Sequence, residues 1–138
     1  MNGPAKTTET VQTPHAIARQ DRGRRAFLSG AAAEHIIERI YQARGAQVLE
    51  SRWRGQGGEI DMILQDGPEV VFCEVKKARD FDTALSRLRP QQIQRIHDAA
   101  AEYFATVPDG QLAQVRFDLA IVDATGHAQI HENAFGHF

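Results

Sequence analysis

The sequence predicts a single α/β domain built on a mixed sheet with helices packed against it. Three observations carry that expectation. Residues 26–44 repeat apolar side chains at helical spacing, residues 46–77 break into three short strands separated by glycine- and proline-bearing turns, and a second helical stretch at 84–105 leads into an apolar strand at 114–122. With 138 residues, the chain suits one domain and can bury a core without a disulfide or metal staple.

The elements follow in order. Residues 1–20, rich in Thr, Ala, Gln and Pro and without apolar period, read as a disordered tail, and 21–138 as the folded domain. In the first helix Leu28, Ala32, Ile36, Ile40 and Ala43 make an apolar stripe that Ile37 and Tyr41 widen. Ser29 can cap a later start, and Gly45 is placed to end the helix. Glu34 shares the side of Ile37 and Tyr41, at the edge of the buried face. The strands are expected at 46–54, 59–65 and 70–77, with a turn at Asp66-Gly67-Pro68. The second helix is expected over 84–105, with Pro90 as an alternative start. Strand 114–122 follows, and 127–130 reads as a short edge strand.

Composition excludes several classes. The lone Cys73, set in an apolar run, leaves no disulfide framework and no Cys-rich zinc site, and is expected to be a buried thiol. No apolar run approaches the roughly 20 residues of a membrane span. The N-terminus lacks a secretory apolar core, so a cytoplasmic location is expected. A net charge of −2 hides blocks: residues 1–54 carry nine basic and five acidic side chains, 55–75 five acidic and no basic, 76–95 six basic and two acidic, and 96–138 one basic and six acidic. Basic flanks around an acidic centre suit a nucleic acid held by the flanks and a cation at the centre; the plainer reading is a solvated surface.

The chemistry is concentrated in the second and third strands. A four-residue loop at 66–69 pairs Gln65 with Val70, which sets Asp61 opposite Glu74 and Glu59 opposite Lys76, all on one face. Two opposed carboxylates repel unless a cation lies between them, and oxygen ligands with open water positions suit Mg²⁺ or Mn²⁺. Lys76, two residues beyond Glu74, is placed to orient an attacking water or steady a phosphate, and Glu34 to add a further carboxylate. The competing reading makes these solvated residues, with Lys76 paired to Glu59.

Gly58-Glu59-Ile60-Asp61 followed by Val71-Phe72-Cys73-Glu74-Val75-Lys76 resembles the YraN family of small bacterial proteins, which are similar to the PD-(D/E)XK nucleases near the archaeal Holliday junction resolvases. Gly30 with Glu34, Tyr41, Gly45, Trp53-Arg54, Arg116-Phe117-Asp118 and Asn133-Ala134-Phe135 extend the resemblance across most of residues 30–135. It implies a restriction-endonuclease-like sheet, with Asp61, Glu74 and Lys76 as the active-site core and Glu34 as helical partner. It implies a Mg²⁺- or Mn²⁺-dependent endonuclease-like activity on structured DNA. The alternative is a non-catalytic nucleic-acid-binding module in repair, recombination or uptake; by analogy of fold, a homodimer is expected. The chain departs from the family at Cys73 (Val), near Ser51 (Asn), at Ala78 (Arg, with Arg79 one position on) and at Gln91 or Gln92 (Lys). The last two remove expected phosphate contacts and leave the metal ligands intact.

Further cations are candidates for nucleic-acid contact: Arg22, Arg24 and Arg25 ahead of the first helix, Arg54 beside Trp53, and Lys77 and Arg79 after the motif lysine. Trp53, with Arg52 and Arg54, is a stacking edge or a rim residue of the core. Arg87, Arg89 and Arg95 are placed on the second helix, facing DNA or solvent. His35 and His97 are expected on helix surfaces. A zinc site from His127, His131 and His137 is the weaker reading, because no helix or acidic partner accompanies them. Phe117 is expected inward and its neighbours outward, with Asp118 in an ion pair with Arg116 or a helix residue; a supporting role behind the site's ligands is the weaker reading.

Overall fold

The computed structural model describes residues 30–107 and 114–136. The tail at 1–20, the helix residues 26–29, Arg22, Arg24, Arg25 and His137 lie outside the described residues. Helix α1 spans Gly30–Ala43. It ends because Gly45 takes a φ of 93°, which lets the Ala46 N–H reach back to Tyr41 O and the Gly45 N–H to Gln42 O, both at 3.0 Å. Its buried residues are Ala33, Ile37 and Tyr41. The stripe expected on Ala32, Ile36 and Ile40 is therefore rotated: Ile36 and Ile40 flank the contact, and Ala43 is exposed. Alanine at 32 and 33 gave the periodicity two adjacent choices, and the larger Tyr41 decides between them.

Strands β1 (Gln47–Arg54), β2 (Glu59–Asp66) and β3 (Glu69–Lys77) form an antiparallel meander. Helices α2 (Phe81–Arg87) and α3 (Pro90–Ala105) cross over to β4 (Gln114–Val122), which runs parallel to β3, and β5 (Ala128–His131) closes the far edge antiparallel. The five strands lie in the order β1-β2-β3-β4-β5. The architecture is a mixed sheet between helices, consistent with a restriction-endonuclease-like fold. Among the described residues no helix is long and apolar enough to cross a membrane.

The expected second helix is two. Arg89 adopts an extended backbone (φ −76°, ψ 154°) because the ring of a following proline disfavours helix, and Pro90 then opens α3 at its first position. Asp80 starts α2 by accepting the Thr83 N–H at 2.7 Å. Arg87 consequently sits on α2, Arg89 in the break and Arg95 on α3, so they do not share one helix. The Arg87 guanidinium donates to Lys77 O at 2.9 Å.

Both faces of the sheet are covered. α2 and α3 pack on Ile60, Ile63, Phe72, Leu119 and Ile121, and α1 on Met62, Leu64, Val71, Cys73, Ala120 and Val122. Strands buried on both sides read as apolar runs, as β3 does. The same burial corrects the expectation for Arg116 and Asp118, which are not outward but buried. Asp118 is bound by Arg116 Nε (2.9 Å) and Nη2 (3.0 Å), by the Tyr41 hydroxyl (2.6 Å) and by the Asn133 N–H (2.9 Å). Cys73 is buried and free, as expected.

Candidate metal and phosphodiester site

The hairpin register follows the expected pairing: Asp66↔Glu69, Gln65↔Val70, Leu64↔Val71, Ile63↔Phe72 and Met62↔Cys73. Its loop is shorter than expected. Asp66 and Glu69 are themselves paired, leaving Gly67 and Pro68, and Gly67 supplies the positive φ of 60° that a two-residue hairpin turn needs.

The ladder ends at Met62↔Cys73, and there the site begins. The next N–H on β3, that of Val75, donates to Asp61 Oδ2 at 2.8 Å. A side chain thus takes the place of a backbone acceptor, and β2 parts from β3, while β3 continues against β4 to Lys77↔Val122. In the opening the Asp61 and Glu74 carboxyls lie close enough for each to shift the other's hold on its proton. Glu74 Oε2 lies 3.3 Å from Lys76 Nζ, with the Glu74 side chain 9% and that of Lys76 23% exposed. The expected pairing of Glu59 with Lys76 is not formed: the ladder stops short of it, and Glu59 lies opposite Arg54 with an ion pair of 3.5 Å.

The electrostatics follow from burial. Loss of water and the adjacent Asp61 charge push the Glu74 carboxyl up to about 8, against the pull of Lys76. Burial also raises Asp61, opposed by the Val75 N–H. Glu34 is raised chiefly by burial, with Asp61 among the charges that it feels, and Arg52 opposes the shift. Arg52 Nε donates to Glu34 Oε1 at 2.8 Å. Arg52 does so from a left-handed backbone (φ 53°), an unfavourable conformation for a residue with a side chain.

The predicted site residues therefore divide. Asp61, Glu74 and Lys76 come together. Glu34 approaches on α1 but is held by Arg52, and among the described residues no three of Asp, Glu, His or Cys cluster as a metal-binding group. Paired carboxylates, one half-buried and one buried, are nonetheless a donor set that fits a hard divalent ion that keeps most of its water. Arg54 and Arg79 are exposed, 77% and 86% at the side chain, at the end of the sheet where the strands part, and Arg79 lies 3.3 Å from Asp80. Strand alternation turns Lys77 to the face opposite Lys76.

Two residues take places the sequence did not give them: the sequence marks Gln92 only as a candidate replacement of the family lysine, and Arg52 only as part of the Trp53 edge. Gln92 Nε2 donates to Glu74 Oε2 at 2.8 Å, and Gln92 Oε1 accepts from Lys76 Nζ at 3.4 Å. Its signal was a polar residue four before Ile96, on the buried stripe of α3. Arg52 had no comparable signal, because nothing in its type announces a positive φ. α3 is pinned at its other end by Glu102, whose carboxylate accepts the Gln56 and Gly57 N–H groups at 2.7 and 2.8 Å.

Among the described residues the histidines do not gather with other metal-binding side chains. His131 stacks on Phe81 at 3.8 Å. His35 is exposed as expected. His97 is not a surface residue: it stacks on Phe117 at 4.2 Å and bonds Phe135 O at 3.0 Å. Trp53 is a rim residue, edge-on to Tyr103 at 5.6 Å.

The model of the "Uncharacterised protein family UPF0102" matches residues 33–122, which hold every residue of this opening. The chain belongs to the UPF0102 family. A UPF0102 protein of Ruegeria pomeroyi is 53% identical over 116 residues, covering 84% of this chain and 94% of its own. One from Ruegeria sp. is 47% identical over 116 residues, with the same coverage, and one from Dinoroseobacter shibae 45% over 130 residues, covering 91% and 97%. This is the YraN-like family that the motifs resemble. The names of these UPF0102 relatives state no activity.

Proposed function

We propose that this UPF0102 protein is a Mg²⁺- or Mn²⁺-dependent endonuclease-like phosphodiesterase acting on structured DNA. The observation that carries the reading is the carboxyl pair of half-buried Asp61 and buried Glu74 beside Lys76, set where β2 and β3 part. Adjacent carboxyls screened from water are costly unless a cation joins them, and perturbed carboxyls of this kind cluster at functional sites. Asp61 and Glu74 would hold the ion. When bound, such an ion supplies water activation and neutralises charge on the reacting phosphate. Lys76 orients the water or the phosphate from beside Glu74. Glu34, once released by Arg52, adds a carboxylate at the α1 side. Arg54 and Arg79, with Lys77 on the other face of β3, are the basic side chains proposed for flanking phosphates, with Arg24 and Arg25 as contacts ahead of α1.

A second reading, a nucleic-acid-binding module without turnover, draws on the count of ligands. Two carboxylates with no third in the cluster among the described residues make a weak ion site.

A cleavage assay separates them, using branched, flapped and single-stranded DNA with Mn²⁺. Wild type is expected to cut at least one substrate, with Asp61→Ala and Lys76→Ala each losing about 100-fold or more, the scale of removing a principal catalytic group. Binding of the same substrates without cutting supports the second reading and contradicts the first.

A further inference from the structure

Each carboxylate of the pair has one oxygen already committed to the fold. Asp61 Oδ2 accepts the Val75 N–H at 2.8 Å. Glu74 Oε2 accepts Gln92 Nε2 at 2.8 Å and lies 3.3 Å from Lys76 Nζ. The orientation of Gln92 is dictated by its neighbours. An ammonium only donates, so the amide oxygen must face Lys76 at 3.4 Å and the amide nitrogen must face Glu74. Glutamate in its place would repel Glu74, and lysine would repel Lys76. Local sequence sets this up: Pro90 fixes where α3 starts, so Gln92 falls in its first turn, on the stripe continued by Ile96, Ala99, Ala100 and Tyr103.

We infer that Gln92 sets the cation preference of this site: by occupying Glu74 Oε2 it makes Glu74 a one-oxygen ligand, as the Val75 N–H does for Asp61, and so favours Mg²⁺ or Mn²⁺ over Ca²⁺. The inference rests on the reading of Asp61 and Glu74 as cation ligands. Ca²⁺ takes about six to eight oxygens and commonly draws on both oxygens of a carboxylate, whereas Mg²⁺ keeps an octahedral shell, largely of water, on one or two carboxylates. Two single-oxygen ligands match the second pattern. Gln92 touches neither ion nor substrate in this scheme and acts through Glu74, as a positioning residue.

Calorimetric titration of the full chain with MnCl₂ and with CaCl₂, each alone, tests this. Wild type is expected to bind Mn²⁺ more tightly than Ca²⁺, and an Asp61→Asn/Glu74→Gln double variant neither. Gln92→Met keeps the side-chain length but removes one of the two donors on Oε2, leaving Lys76 there, and is expected to shrink the ratio of the two Kd values about tenfold, the scale seen when a partner of a metal ligand is lost. Gln92→Ala repeats the test should methionine disturb folding. General loosening weakens both ions together and leaves the ratio where it was. An unchanged ratio in both Gln92 variants, with wild-type Mn²⁺ binding intact, overturns the inference and leaves the cation site standing. Mn²⁺ binding that is absent, or indifferent to the double variant, overturns both.

Discussion

Glu74 is buried with a second carboxyl against it and a single lysine for relief, so its proton is held up to about 8 instead of the ordinary 4.5. The consequence for stability has a definite sign. Below pH 4.5 folded and unfolded chains both hold the proton. Between the two values the unfolded chain ionises first, so the Glu74 contribution is lost as pH rises toward 8. The cation-free protein should therefore melt at a falling temperature from pH 5 to pH 8. Glu74→Gln should flatten that fall and melt higher at pH 8, by about 3–6 °C for each kcal/mol of conflict removed. Scanning calorimetry across that range checks this, and a wild type that melts independently of pH there contradicts it. Asp61, Glu74 and Lys76 were legible because a hairpin carries its register in its turn, and two-residue alternation does the rest. Gln92 and Arg52 were not, because their partners lie on other elements: the Gln92 contacts depend on how α3 lands, and the hold of Arg52 on Glu34 on an unfavourable backbone at φ 53°. Arg116 with Asp118 was legible as a neighbouring pair, but the share of Tyr41, 77 residues away, was not.

At the scale of elements, the strands were readable to within a residue or two, since apolar runs and Gly-Pro turns bound them. The helices showed where periodicity falls short. α1 turned its face by one position once Tyr41 found Asp118, and the helix expected over 84–105 broke at the residue before Pro90. The end of α1 is a cleaner case. Gly45 stands at φ 93° with open space around its Cα, so Gly45→Ala meets no clash and feels only backbone strain. That substitution should cost about 1–2 kcal/mol in urea unfolding with an unchanged m-value, and a loss near zero would show that the turn can be made another way. The site depends on this economy of turns: the two-residue loop at Gly67 and Pro68 sets the β2–β3 register that brings Asp61 to Glu74.

For the whole molecule, the charge blocks in the sequence acquire places. The acidic block at 55–75 is mainly the β2–β3 hairpin with Asp61 and Glu74, and the basic block at 76–95 is the end of β3, α2 and the start of α3. The parallel step from β3 to β4 requires a helical crossover, and that crossover carries Gln92 to the carboxyl pair. Sequence pattern could supply the elements and the family; it could not say how a crossover packs. A cation held by Asp61 and Glu74 would show itself in thermal melting with added Mn²⁺. Wild type should melt at a temperature that climbs with Mn²⁺ concentration, as any ligand of the folded state requires, and the Asp61→Ala/Glu74→Ala protein should not respond. A wild type that ignores Mn²⁺, or a double variant that responds as strongly, would contradict the account.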